Sequence, residues 1–360
     1  MLLAEILEHK YSYHNNNFDR ENFKGLPVRR RVKNFIQYIF RKRVPINKLE
    51  ALVNLEPHLD GIEYLYNRLE SQESKNLLLK LIALRVIGNK RLKLPLNNDL
   101  YWQKRKEVLS LKTSDDSIPT RNNEYTLTYY DLNKIGYNLN ILTFPLNILQ
   151  HFFLGHYSYN MDNISCKVDK GDFVLDCGSG WGDTAIFFAN DVGVDGRIYT
   201  FEFIPRQLDI IKKNLSLNPD MIKRVSLVEN ALWNISGEKL YVVDDGLGSR
   251  IGKEKLSDDY FEVYTTTIDD LIKEREIVKI DFIKMDIEGA ELQALEGARE
   301  TITKFRPKLA ISIYHNPEDF GNIPTFIDSL GLDYRFYLGH YSLFREETVL
   351  YGVPSLPINN

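Results

Sequence analysis

The sequence predicts an α/β fold, a Rossmann-like doubly wound sheet of mostly parallel strands, preceded by a helical N-terminal segment. Three observations predict it. From Lys170 onward, short apolar runs alternate with amphipathic stretches, the pattern of buried strands spaced by helices. The first of these runs ends in "VLDCGSGWGD" (174–183), an acid followed by three glycines. The next run closes on a second acid, Glu202, 22 residues after Gly180.

In chain order, residues 1–112 read as a helical N-terminal domain. Val28, Val32, Phe35, Ile36, Ile39 and Phe40 recur at three-and-four spacing and share a helix face. That helix (28–44) also carries seven Lys and Arg and no acid. Its plainer reading is a core-packed helix with a solvated basic face; the sharper one is contact with an anionic membrane surface or an acidic glycan. Helical character continues through "IEYLYNRLESQESKNLLLKLIALRVIG" (62–88).

Residues 113–160 read as a linker and lead-in segment. "TSDDSIPTRNN" (113–123) is polar and holds a proline, and the runs on either side of "NKIG" (133–136) predict a hairpin. The α/β domain then takes 161–360. Its strands are "DFVLDC", "RIYTFEF", "RVSLVEN", "DFIKMDI" and "KLAISIYH", spaced by helices such as "DTAIFFAND" and "AELQALEGARETITKF". "YRFYLGHY" and "ETVLYGV" lie close together and predict an antiparallel pair at one edge.

Composition narrows the function classes. The chain has 360 residues, 43% hydrophobic and 27% charged, with a net charge of −4. A pI of about 6.0 and mean hydropathy of −0.31 argue against a general nucleic-acid binder. Cys166 and Cys177 are too few for a disulfide framework and lack metal-ligand spacing. The opening "MLLAEILEHK" is not read as a secretory signal, and no apolar run reaches bilayer length, so the expected compartment is the cytoplasm.

The glycine loop is where a ligand is expected, beyond the carboxyl ends of the strands. Gly178, Gly180 and Gly182 bare the main chain, and the helix starting near Asp183 aims free N–H groups at the same place. A dinucleotide would want G-x-G-x-x-G. Here the third glycine falls one residue early, Asp183 stands where it should be, and Asp176 adds a second repulsive charge. Glu202 is placed to accept hydrogen bonds from ribose hydroxyls. A cationic nucleoside fits these features, and S-adenosylmethionine is one. A nicotinamide-dependent oxidoreductase on a similar sheet, or a non-catalytic module keeping the fold for binding, remain the alternatives.

The run from "GDFVLDCGSGWGDTAIFFA" through "YTFEF" to "IDFIKMDIEGAELQALEGA" resembles the FkbM-type S-adenosylmethionine-dependent methyltransferases. Their Lys-x-Asp-x-Glu-Gly-x-Glu string stands here as Lys284, Asp286, Glu288, Gly289 and Glu291. The resemblance spans roughly Tyr125 to Pro354. It implies a class I methyltransferase sheet and an O-methyltransferase whose acceptor is a hydroxyl, foremost of a sugar in a glycan, lipopolysaccharide or glycosylated metabolite. It also implies Asp176, Gly178 and Gly180 around the methionine part of the cofactor, Glu202 on its ribose, and Asn230 and Ala231 beside its adenine. Asp183 is counted with the cofactor set.

Methyl transfer requires the acceptor opposite the departing sulfur and a group to take its proton. A strand persisting through Glu288 would turn Asp286 and Glu288 to one side. Asp286 is read as base, as the residue that orients a base, or, with Glu288, as ligand to a divalent metal. Glu291 also has a plain reading, stabilising a helix N-terminus. His315 ends the fifth strand and is expected as proton acceptor with Asp286; its plainer reading is a histidine satisfied by backbone. His340 is expected across the same mouth, and His156 and Tyr157 as part of a lid. "NPED" (316–319) lacks the second proline and aromatic of base-methylating enzymes.

Overall fold

The computed structural model describes residues 54–88, 92–120, 126–161, 164–244, 249–255 and 257–355. The basic helix expected over 28–44, with the rest of the first 53 residues, lies outside them. Among the described residues three α-helices come first: α1 (Leu59–Arg68), α2 (Gln72–Ile87) and α3 (Asp99–Ser110). A small antiparallel sheet follows, β1 (Lys112–Pro119), β2 (Thr126–Asp131) and β3 (Asn140–Thr143). A short helix α4 (Pro145–Ile148) runs into a π-helical turn at Leu149–Phe153, and β4 (Tyr159–Met161) pairs with β5 (Ile164–Cys166).

The α/β part then unrolls as β6 (Phe173–Cys177), α5 (Asp183–Val192), β7 (Arg197–Phe201), α6 (Pro205–Leu217) and β8 (Val225–Val228). A branch of short strands comes next, β9 (Ala231–Leu232), β10 (Lys239–Val243), β11 (Arg250–Gly252) and β12 (Phe261–Thr266), followed by α7 (Ile268–Glu274). The chain closes with β13 (Phe282–Met285), α8 (Glu291–Glu296), α9 (Arg299–Phe305), β14 (Lys308–Ser312), α10 (Asp319–Ser329), β15 (Tyr334–His340) and β16 (Thr348–Pro354).

The main sheet has seven strands in the order β8-β7-β6-β13-β14-β16-β15. All its pairings are parallel except the two made by β16. The chain reverses between β6 and β13, which opens a crevice above their carboxyl ends. Residue alternation sorts the strands between two cores: Leu175, Ile283 and Ile311 face one, Val174, Phe282 and Ala310 the other. The closing pair forms as the sequence predicts, with the antiparallel strand inserted one place in from the edge.

Two expectations change. Thr113–Pro119, read as linker, is most of strand β1, paired with β2 through a register shift between Lys112 and Ser117. It is an edge strand, so polar side chains suit it. The described helices before it are no separate domain, because they share a core with the sheet. Leu78, Leu81, Ile82 and Leu84 of α2 are fully buried and join the cluster of Ile283 and Leu309. From Leu77 to Val86 only Lys80 and Arg85 interrupt the apolar run, a face too wide to leave in solvent. The open edge of β15 is covered by the α1–α2 junction, where Glu70 N donates to Phe336 O (3.0 Å) and Leu338 N to Ser74 Oγ (2.9 Å).

Helix α1 lies against α10 with glycine facing glycine. A Cβ on Gly61 would come 2.8 Å from Gly321 Cα. Arg68 adds a two-pronged ion pair to Asp328, at 2.7 and 2.8 Å, and the Tyr64 hydroxyl donates to the same carboxylate. Among the described residues no helix is long and apolar enough to cross a membrane.

Candidate active site

A cavity of about 510 Å³ opens over the crevice between β6 and β13, within the roughly 300–1,000 Å³ usual for small-molecule sites. Its floor is the glycine loop. Gly178 N and Ser179 N both donate to Phe201 O (3.2 Å), and Asp286 N donates to Cys177 O (3.0 Å), so the loop is strung between β7 and β13. Gly178 has φ 82°, and a Cβ there would lie 1.8 Å from the Asp286 carbonyl oxygen. Gly180 has φ 53° with nothing within 4 Å of a would-be Cβ; a side chain would enter the cavity.

Trp181 is buried against Phe144, Leu142 and Ile210, so the small β1–β3 sheet holds the loop's far end. Asn214 of α6 joins these parts, exchanging hydrogen bonds with the Leu142 backbone and donating to Trp181 O (2.9 Å).

One end of the cavity holds Glu202, Phe203, Asn230, Ala231 and Val242. Glu202 Oε1 accepts from Phe203 N (2.8 Å) and Ile204 N (3.0 Å), and the Gln207 amide, turned with its NH₂ toward Glu202, donates to both oxygens. Burial pushes this carboxyl up to about 7 against those hydrogen bonds. Asn230 reaches the Tyr264 carbonyl at 3.4 Å.

Asp176 is not on the cavity wall. It is fully buried beneath the loop, accepting from Thr184 and Thr200 and lying 3.3 Å from Lys284 Nζ. Asp183 does line the cavity, but its carboxylate is engaged by His151 Nε2 and Asn147 Nδ2, both at 2.8 Å. Burial opposes its ionisation, and those bonds outweigh burial and hold it below the usual range. A carboxylate thus stands at the helix N-terminus where a pyrophosphate would dock.

The other end is built from Asp286, Glu288, Tyr157, Tyr314, His156 and Glu347. Strand β13 stops at Met285, and Glu288 takes φ 57° in the following turn, so the strand does not persist as expected. Asp286 accepts from the hydroxyls of Tyr157 (2.7 Å) and Tyr314 (3.2 Å). Burial and Asp286 raise both phenols well above their usual range, which keeps them donors. Burial and the facing Asp286 push Glu347 up to about 8. Of the six described non-glycine residues with positive φ, Tyr157, Glu288 and Glu347 all line this cavity, the clustering of backbone strain seen at functional sites.

His315 reaches this end from behind. Its Nδ1 is 3.0 Å from Glu291 and its Nε2 is 3.5 Å from Asp286 and 3.4 Å from Glu288. Burial alone would lower its pKa, but the surrounding carboxylates raise it to about 11. The expected proton acceptor is therefore already protonated, and it is not on the cavity wall. Glu291 is fully buried and caps the turn by accepting from Ile287 N (2.8 Å). Asp286, Glu291 and His315 also offer ligand atoms within 4.8 Å of one another, and among the described residues Glu291 Oε2 and both imidazole nitrogens lack aligned hydrogen-bond partners. That set fits one divalent cation; Glu288, expected as a ligand, is outside it.

His340 is a correction. It sits in β15, bonded to Thr348 Oγ1 (2.9 Å), away from the cavity, and burial with nearby Arg85 lowers it to about 3. Sequence reasoning also passed over His151, Tyr314 and Glu347. His156 and Tyr157, expected as a lid, form part of the wall instead, stacked at 3.8 Å.

Residues 168–336 match the family model described as the Methyltransferase FkbM domain. Over those residues, just under half of its length, the chain is similar to the FkbM methyltransferases. A crystal structure of methyltransferase FkbM from Methylobacillus flagellatus KT is similar at TM-score 0.51 and 20% identity, covering 83% of this chain and 60% of that one. At that identity the likeness is one of fold, and the chain spans about 60% of that structure's length. Looser likenesses, both at TM-score 0.34, are Aeropyrum pernix fibrillarin with bound S-adenosyl-L-methionine (15% identity, 66% of this chain, 99% of that one) and a Bacillus cereus O-methyltransferase with SAH (14%, 70% and 91%). No curated protein matches the chain. The FkbM match takes in the glycine loop, Glu202 and the Lys284–Glu291 string, but stops short of Glu347 and β16.

Proposed function

We propose that this FkbM domain is an S-adenosylmethionine-dependent O-methyltransferase whose acceptor is a sugar hydroxyl of a glycan, lipopolysaccharide or glycosylated metabolite. The observation that carries the reading is a single cavity with two unlike ends. Bare main chain at Gly178–Gly180 and the Glu202 carboxylate suit a ribose-bearing cation. Gly180 leaves the space a Cβ would fill, and the buried Ser179 Oγ and Trp181 Nε1 have no partner among the described residues. The methyl donor would be held by Gly178, Ser179 and Gly180 at its amino-acid part, Glu202 at its ribose, and Asn230 and Ala231 at its adenine. It supplies the electrophilic methyl group when bound.

The far end offers the acceptor carboxylates and aromatic faces, groups a polyol can meet with hydroxyl donors and ring faces. Asp286, oriented by Tyr157 and Tyr314, takes the proton as the acceptor oxygen bonds to carbon and the carbon–sulfur pair leaves on sulfur. His315 holds Asp286, Glu288 and Glu291 together as their counter-ion. A divalent cation bound in place of the His315 proton would be held by Asp286, Glu291 and the neutral imidazole and would supply Lewis acidity at this end of the cavity. Free, buried Cys166 and Cys177 agree with a reducing, cytoplasmic setting.

Labelled methyl donor, supplied with glycan extracts of the source cell, should give a labelled monosaccharide that disappears with Asp286→Asn. Label confined to protein or nucleic acid would overturn the acceptor class. Calorimetry showing heat with pyridine dinucleotides and none with S-adenosylhomocysteine would overturn the cofactor.

A further inference from the structure

The signature lysine has no task in the reading above. Lys284 is 1% exposed in the middle strand of the sheet, a rare place for an ammonium group unless it is paired. Its register partner in β6 is Asp176, one strand away on the same face. Burial alone would lower its pKa, but Asp176 and Asp286 outweigh burial and keep it charged.

An ammonium has three donors, and here each has an acceptor. Asp176 Oδ1 lies at 3.3 Å and Cys177 O at 3.1 Å, and the third contact is to Gly178 O. Two of the three are main-chain carbonyls of the glycine loop. Cys177 O also accepts from Asp286 N, so one carbonyl joins the lysine, the loop and the acid at the acceptor end. The ammonium lies 5.3 Å from the Tyr157 ring centroid, and that tyrosine donates to Asp286.

We propose that Lys284 is a positioning residue that clamps the glycine loop, setting the methyl donor in register with Asp286. By drawing the carbonyls of Cys177 and Gly178 down to the sheet, it fixes the loop that must lie under the donor. An arginine would not serve: its planar fork is larger and carries five donors for the three acceptors available. The proposal rests on the cofactor reading given above.

The test is calorimetry with S-adenosylhomocysteine on the full chain, with amide exchange of the unliganded protein alongside. Lys284→Met would strand the Asp176 charge, so it is paired with Asp176→Asn, which removes both charges. The paired variant should unfold cooperatively yet bind S-adenosylhomocysteine at least about tenfold more weakly, a loss of roughly 1.4 kcal/mol, with faster exchange at the Gly178–Gly180 amides. Wild-type affinity and unchanged exchange would overturn the clamp. Should the pair fail to fold, Lys284→Arg carries the test: the charge stays and the same loss is expected, while wild-type affinity refutes it. A wild-type chain that binds no S-adenosylhomocysteine sinks the cofactor reading instead, and loop exchange still decides the clamp.

Discussion

Replacing Gly178 by alanine probes how hard the glycine loop is pressed against the turn after β13. The new Cβ would lie 1.8 Å from the Asp286 carbonyl oxygen and 2.9 Å from Ile287 Cγ2, on a backbone with φ 82°. Left-handed backbone alone costs an alanine roughly 1–2 kcal/mol. Relieving the contact means opening the Asp286 N to Cys177 O hydrogen bond, and overpacking of this kind adds about 1–3 kcal/mol. The expected loss is about 2–5 kcal/mol, read from urea unfolding. Gly180→Ala is the control, at φ 53° with free space around the Cβ. It should cost only the backbone share, roughly 1–2 kcal/mol, yet weaken S-adenosylhomocysteine binding because the methyl enters the cavity. Equal stability of the two variants would refute the close approach of the two loops.

Three more outcomes follow from the buried charges. Glu202, pushed up to about 7 by burial, accepts from ribose hydroxyls more strongly as carboxylate than as acid, so S-adenosylhomocysteine affinity should rise with pH through that value and lose that dependence in Glu202→Gln; titration calorimetry at several pH values checks this. In metal-free protein, nitrogen NMR of the imidazoles should find His315 protonated past neutrality and His340 neutral in mild acid, in line with about 11 and about 3. The raised His315 contributes stability that is full below its unfolded value of 6.5 and lost as pH climbs toward about 11. The depressed His340 contributes stability present above 6.5 and lost as pH falls toward about 3. Cys166, fully buried and raised to about 12 by burial, and Cys177, raised further, should resist a thiol reagent until the chain unfolds.

Local signals carried much of the fold. The alternation of apolar runs marked β6, β7, β8, β13 and β14: the central β6, β13 and β14 are buried on both faces, β7 and β8 toward the edge still keep short apolar runs, and none needs a distant partner to be recognised. The β9–β12 branch escaped, since "EKLYVV" (238–243) and "YFEVYTTT" (260–267) read as strands only once paired with each other. Strand β1 escaped because an edge strand need not be apolar. At the site, the loop and Glu202 follow from strand ends, which sequence locates well. The surroundings of His315 do not, because Glu288 and Glu291 face it only through a left-handed turn at Glu288. Tyr157 and Glu347 enter the cavity from two more such turns; the sequence offers Tyr157 only as part of a lid, and nothing at position 347 announces Glu347.

The glycine-to-glycine seam between α1 and α10 bears on how the protein can be divided. The stretch resembling other methyltransferases, 168–336, is only part of what folds together. Cutting the chain at the expected boundary near residue 112 would uncover the apolar flank of α10 and unzip the outer margin of β15. Ending it at 336 would remove the strand lodged between β14 and β15. Catalytic parentage and physical independence thus have different limits here, and a trimmed version that kept every signature residue should still come out of the cell as aggregate.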